Sequence, residues 1–336
     1  MIELDGSAGG GQLLRTALSL SAATGRSFHM ENVRGDRPEP GLKSQHLAAV
    51  RSLAAVCDAE VSEVAVGTDE VTFGPGEIQP GRYEVDVGTA GSVTLVFDTA
   101  LPLALAADGP LSITATGGTD VKWSPPMDFH RQVKLPLLRA WGLHAAIDPT
   151  RRGFYPAGGG RATLHLAPSD PGPLELDERG DLLGVQVYST AAEVLQDADV
   201  AERQVAAAVE TLESVDAPVT ERTTTYVETE SPGSALVVAL DFEDSVAGFS
   251  ALGERGRPSE DVGGTAAESA ASFLDGPAAV DRHLADQAIP LLALAGGRVA
   301  IPEVTDHVES AVDLVGAFGF EVAVEPLGDG AVLVSQ

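Results

Sequence analysis

"GGGQLLRTALSLSAATGRSFHM", residues 9–30, reads as a glycine-led apolar helix followed by a turn and a short strand. The same sequence of events returns at residues 88–115, "GTAGSVTLVFDTALPLALAADGPLSITA", and at 283–301, "HLADQAIPLLALAGGRVAI". A second kind of helix, ending near a strand, also occurs three times, at 40–64, 125–147 and 304–324. Each group closes on further strand-like text: "EVTFGPG" (70–76), "RATLHLAP" (161–168) and "GAVLVSQ" (330–336). The pattern predicts three β-α-β-α-β-β units whose sheets pack against helices, an α+β fold.

The third unit comes late. Between "ELDERGDL" and "GPAAVDRHLADQ" the text changes character. A strand "GVQVYST" leads into a helix "DVAERQVAAAVETLES". Two alternating strands follow, "ERTTTYVETE" and "SALVVALDFE", then a Gly-rich turn and an Ala-rich helix. That is enough for a small inserted α/β domain. The expected division is a large domain from residues 1–180 and 277–336, interrupted by the small domain at 181–276. The third unit is therefore expected to be split or preceded by the insertion.

Bulk properties narrow the class. A chain of 336 residues with 44% hydrophobic residues supports proper cores. No apolar run approaches the roughly 20 residues needed to span a bilayer, so no membrane partner is expected. "MIELDG" carries no signal-like segment, and the lone Cys57 excludes an internal disulfide or a cysteine-based metal site. A cytoplasmic protein is expected. Acids number 50 against 21 bases, a net charge of −29, and only Lys43, Lys122 and Lys134 are lysines. The acids are spread along the chain, as in proteins that work in multimolar salt, where self-repulsion is screened to a few ångströms. Without that reading, −29 would argue against a nucleic-acid partner. The arginines that persist against this trend become informative.

Several stretches could carry chemistry, each with a plainer alternative. "LDGSAGGGQLLR" sets a Gly-rich turn before a helix, which could hold an anion on free N–H groups or be only a tight turn. It is neither a Walker A motif nor GxGxxG. "RGDRPEPGLKSQHLAAV" adds Arg34 and Arg37 in a loop, then Gln45 and His46; guanidinium suits phosphate, but loop arginines are often just solvated. In "TGGTDVKWSPPMDF", Trp123 and Phe129 could form a stacking platform for a base or pack in the core. "RRGFYPAGGG" fits a phosphate-facing loop or a hairpin. "HLADQ" places His283 and Gln287 on one helix face with Asp286 beside them, too few ligands for zinc. In "VTDHVESAVDLVGAF" (304–318), Val308, Ala311, Val312 and Val315 form the apolar face. His307 lies at its border in the first turn, where a histidine can point into a cleft or sit idle.

Taken in order, "GGGQLLRTALSLS", "RPEPGLKSQHLAAV", "GTAGSVTLV", "GGTD", "PPMDF", "GFYPAGGG", "LADQ" and "VTDHVESAV" resemble the RNA 3′-terminal phosphate cyclases. The charge balance resembles an archaeal, halophile-like member. The resemblance spans nearly the whole chain and is faintest in the insertion. It implies three four-stranded units plus a small inserted domain, and an enzyme using ATP with a divalent cation, Mg or Mn. Its partner would be RNA with a 3′-phosphate end. A histidine attacks the α-phosphorus of ATP, AMP passes to the RNA phosphate, and the 2′-OH closes a 2′,3′-cyclic phosphate while AMP leaves. The resemblance places the nucleophile at His307. It places nucleotide and RNA-end contacts at Gln12, Arg15, Arg34, Arg37, Gln45, His46, Pro125, His283, Asp286 and Gln287. A helix N-terminus suits this role, because it favours neutral imidazole and an incoming phosphate.

Three departures stand out. Ala8 occupies the place of a glutamate that assists the metal, so the metal ligands are unassigned. His283 stands where a tyrosine is common, and Glu39 and Ser44 replace basic positions. Two rivals share parts of the pattern. A non-catalytic cyclase-like protein of ribosome assembly would lack the nucleophile. An enolpyruvyl transferase would have two comparable lobes.

Overall fold

Strand β1 (Ile2–Asp5) runs parallel to β2 (Phe28–Glu31), with helix α1 (Gly11–Thr24) as the crossover. A parallel pair needs such a connection, and the apolar face of α1 supplies what it covers. Helix α2 (Ser44–Val56) then leads to β3 (Glu60–Val61) and β4 (Val71–Gly74), which add antiparallel to give the order β1-β2-β4-β3. The structure, a computed structural model, describes residues 1–88, 90–327 and 331–336. Thr89 of the GTAG stretch and Gly330 of the closing segment lie outside the described residues.

The second unit repeats the plan. Strand β5 (Gly81–Asp86), helix α3 (Val93–Ala100) and β6 (Leu111–Gly117) form the parallel crossover. The next helical stretch is composite: α4 (Met127–Phe129), a π-helical segment His130–Lys134, and α5 (Leu135–Trp141). Strands β7 (Ala145–Arg151) and β8 (Gly160–Leu166) complete the order β5-β6-β8-β7.

The third unit is split. Its first strand, β9 (Leu174–Leu176), is followed by β10 (Leu182–Ala192), α6 (Val200–Glu213), β11 (Val219–Val227), β12 (Ser234–Phe242), β13 (Val246–Gly253) and α7 (Ser259–Leu274). These six later elements form their own sheet, β11-β10-β12-β13, over a core that includes Val187, Leu212, Leu236 and Val262. Only then come α8 (Arg282–Ala295), β14 (Gly297–Ile301), α9 (Asp306–Ala317), β15 (Ala323–Pro326) and β16 (Val332–Ser335). β14 pairs parallel with the distant β9, giving β15-β16-β14-β9. All three units thus share one parallel and two antiparallel pairings in the same order.

Strand β13 corrects the expectation of a Gly-rich turn after Phe242. Its small residues reflect close packing. A Cβ on Gly248 would lie 2.5 Å from Val133 of the π-helical segment. Past Val246 the strand therefore carries none of the β-branched text that marks strands elsewhere.

Two devices join the pieces, the first of them buried. Arg152 donates to Asp120 Oδ1 and Oδ2 at 2.6 and 2.8 Å and to Asp128 Oδ1 at 2.9 Å, while Thr190 of β10 donates to Asp128 Oδ2 at 2.8 Å. "GGTD", "PPMDF" and "RRGFYP" thus meet in one paired ion network, which buried charge requires. At the neck of the insertion, Arg179 donates to the carbonyls of Phe273, Leu274 and Ala278 and lies over the rings of Phe242 and Phe273.

Candidate active site

Helix α1 packs against α2, α3, α8 and α9, so side chains from all three units converge around it. Its start is bare for a reason. His46 Nε2 lies 1.8 Å from where a Cβ on Gly11 would sit, and the Arg37 guanidinium lies 3.2 Å from the corresponding point on Gly10. The glycines of "GGGQ" leave room for these two side chains.

His46 is buried in the first turn of α2. The backbone N–H of Lys43 donates to its Nδ1 at 3.1 Å, which makes Nδ1 the acceptor and Nε2 the N–H donor. Burial, together with Arg15, Arg34 and Lys43, pushes its pKa down to about 3. At neutral pH His46 is an uncharged donor facing the start of α1.

Deeper, one pocket is lined by Gln12 and Arg15 of α1, Asp98 of α3, Lys134, and Asp286 and Gln287 of α8. Helix α8 is held at its start by Asp281, whose Oδ1 accepts from the N–H groups of His283 and Leu284. Oδ2 of the same carboxylate accepts from Gly248 N at 2.9 Å, so the insertion also steadies this helix. Asp98 Oδ1 meets His130 Nε2 at 2.7 Å and Lys134 Nζ at 2.6 Å. Against the cost of burial, Lys134 and His130 hold this carboxyl well below the usual range. Asp286 goes the other way: burial pushes it up to about 7, with Lys134 and Arg15 opposing and Asp98 adding. Burial also lowers Arg15, opposed by Asp98 and Asp286.

His307 is the second residue of α9, after the cap residue Thr305, whose Oγ1 accepts from Val308 N at 3.2 Å. Val308, Ala311, Leu314 and Val315 are the buried face and Val312 is only half-buried, which leaves His307 exposed. Gln12 Nε2 reaches the His307 carbonyl at 3.5 Å and ties the α9 start to the pocket wall. Partial burial lowers the imidazole pKa, helped by Arg37, Arg15 and Arg282 and opposed by Asp306.

The other expected contacts are less convergent. Arg34 adopts a left-handed φ of 58° and donates to the carbonyls of Glu39 and Gly41 at 2.8 Å, stapling its own loop. Gln45 Oε1 accepts from Ser92 N at 3.5 Å, and the Pro125 carbonyl accepts from Thr94 Oγ1 at 2.9 Å. His283 is exposed, with its ring edge-on to buried Phe129 at 6.3 Å. Trp123 and Phe129 do not share a platform, since Trp123 is 94% exposed and Phe129 is in the core. Arg152 is consumed by Asp120 and Asp128 rather than facing a phosphate.

Sequence reasoning missed Asp98, His130 and Lys134. Their one sequence signal is a lysine kept inside an apolar helix, "HRQVKLPLL", in a chain with two others. Among the described residues no group of three or more His, Cys, Asp or Glu side chains could hold a metal ion. Asp5, near Ala8, has its Oδ1 engaged by Ser7 N and Asn32 Nδ2.

The sequence profile of RNA 3′-terminal phosphate cyclase matches residues 7–324, which include the whole pocket lining and the α9 start. The chain belongs to the RNA 3′-terminal phosphate cyclase family. It is similar to the RNA 3′-terminal phosphate cyclase of Halobacterium salinarum, with 49% identity and 99% of both chains covered. The cyclase of Pyrococcus furiosus is 41% identical over 95% of this chain and 93% of its own. That of Pseudomonas fluorescens is 38% identical over 99% and 97%. Family membership so spans the pocket, the α9 start and the insertion alike. No helix of the described residues is long and apolar enough to cross a membrane.

Proposed function

We propose that the protein uses ATP to convert the 3′-terminal phosphate of RNA into a 2′,3′-cyclic phosphate, in three transfers. His307 attacks the α-phosphorus of ATP and a P–N bond forms as pyrophosphate leaves. A terminal RNA phosphate oxygen then attacks the same phosphorus, freeing His307 and forming RNA-pp-A. The neighbouring 2′-OH attacks the RNA phosphorus, losing its proton, and AMP departs. Only an imidazole with a free lone pair can begin this sequence.

The observation that carries the reading is the setting of His307. Partial burial and the guanidinium groups of Arg37 and Arg15 favour its neutral form. The N–H groups of the first turn of α9 favour the phosphate that must approach it. Arg15 and Arg37 suit the α-phosphate, whose negative charge grows in the transition state. His46, an N–H donor that does not titrate near neutral pH, is suited to orient an oxygen and unsuited to general acid work. ATP chemistry calls for a divalent ion, Mg or Mn. The described residues provide no cage for one, so ATP oxygens and water would carry its coordination, and no step here depends on a protein ligand.

Incubation with α-labelled ATP in molar KCl, then denaturing electrophoresis, tests the first transfer. Label should stay on the wild-type chain, acid-labile and alkali-stable as a phosphoramidate, and be absent from His307→Asn. A normally labelled His307→Asn chain rejects the assignment. A 3′-phosphate oligoribonucleotide that remains sensitive to phosphomonoesterase with Mg or Mn rejects the overall reaction.

A further inference from the structure

The chain keeps three lysines against 50 acids. Lys43 pairs with Glu39 and Lys122 with Glu254, both at the solvent. Lys134 is different, with a side chain only 3% exposed that ends in the pocket beside Arg15, Asp286 and Gln287. A buried ammonium is strongly unfavourable unless paired, and methionine or leucine would fill the same helix position without that cost. The lysine closes the π-helical segment His130–Lys134. Such widened turns redirect side chains and are frequent at functional sites.

Its two partners show what it holds. Nζ donates to Asp98 Oδ1 at 2.6 Å and to Gln287 Oε1 at 2.7 Å. An ammonium has no acceptor, so only the oxygen of the Gln287 amide can face it; the flipped amide would set N–H against N–H. The Gln287 NH2 group is therefore turned away from Lys134. Among the described residues it donates to nothing, and it is not among the polar atoms sealed from solvent.

We propose that Lys134 is a positioning residue for the nucleotide: anchored by Asp98, it locks the Gln287 amide with its NH2 group presented to an oxygen acceptor of the bound nucleotide. This inference rests on the ATP reading above. Without Lys134 the amide can rotate, and half of its orientations offer a carbonyl oxygen to an electron-rich ligand. His130 acts one step further back, since it shares Asp98 Oδ1 with the ammonium.

The test is the ATP dependence of enzyme–AMP formation in Lys134→Met, Lys134→Arg, Gln287→Ala and the Lys134→Met/Gln287→Ala double variant. Loss of one amide contact should raise the half-saturating ATP concentration about 10-fold in Lys134→Met, with the limiting rate within about 3-fold of wild type. Lys134→Arg should recover most of that loss. Gln287→Ala should cost as much as Lys134→Met, and the double variant no more than either alone. Effects that multiply in the double variant, or a fallen limiting rate with unchanged ATP dependence, overturn the proposal. If Lys134→Met does not fold, Lys134→Gln, a neutral side chain that can face either end of the amide, makes the same comparison in both Gln287 backgrounds. A wild-type chain that forms no adduct removes the functional reading and this proposal with it, whereas a normal wild type with multiplying effects removes this proposal alone.

Discussion

His46 and Gly11 share one volume: the imidazole Nε2 stands 1.8 Å from the point a Gly11 Cβ would occupy. Both belong to segments that the family resemblance singles out, and the contact explains why the first position of α1 carries no side chain. Gly11→Ala would gain about 1 kcal/mol of helix propensity at most, yet must displace a buried ring. Enzyme–AMP formation should fall at least about 10-fold, and the melting temperature should drop despite the better helix former. Adding His46→Ala should restore the melting temperature but not the activity. Labelling rates and thermal melts of the three variants check this.

Arg37 pushes the His307 pKa down, so its removal should raise it. Adenylation needs neutral imidazole and is lost as pH falls through that pKa. In Arg37→Ala the acid limb of the rate profile should therefore move to higher pH. The shift should be clear at low ionic strength and shrink in molar KCl, because the guanidinium is exposed and screened. An acid limb that stays in place at low salt would contradict this.

Asp286 offers the opposite sign in stability. Its folded pKa of about 7 lies above the ordinary 3.8, so its contribution is fully favourable below about pH 4 and is lost as pH rises through 7. Asp286→Asn removes that loss. Melting temperatures of variant and wild type should be closest near pH 4, diverge in favour of the variant toward pH 7, and run parallel above it.

A net charge of −29 spread over the surface repels itself at low salt. Raising KCl from low to multimolar should raise the melting temperature and the cyclisation rate together. A melting temperature that falls steadily with KCl would sink the reading of the acidity as a response to solvent.

The repeat was legible because each unit reuses helix-period text ending at a turn, and α1, α2, α3, α8 and α9 all carry it. Strand β13 was not, because Gly248 and its small neighbours answer to Val133 rather than to strand propensity. In the site, His307, Asp286 and Gln287 stood out through motif order. Asp98, His130 and Lys134 did not, since a lone acid in "LVFDTA" and a lone lysine in "HRQVKLPLL" read as stray charges on separate helices. Only the packing of α3 against the π-helical segment reveals that they neutralise one another. Arg152 of "RRGFYPAGGG" stayed ambiguous for a related reason: a guanidinium suits phosphate and carboxylate equally, and here Asp120 and Asp128 claim it.

The Arg179 clasp bears on how fast the chain can fold. Strand β9 must find β14 across about 120 residues, the longest gap any sheet pairing here has to close. Closing so long a loop from a disordered chain is slow and entropically unfavourable. Once the insertion has folded, Arg179 draws its two ends together at Phe273–Ala278, so the span left to search is little more than α8. That shortening is worth on the order of 1–2 kcal/mol of loop entropy. Arg179→Ala should accordingly slow refolding in stopped-flow measurements more than it speeds unfolding, marking the neck as part of the kinetic nucleus of the third sheet.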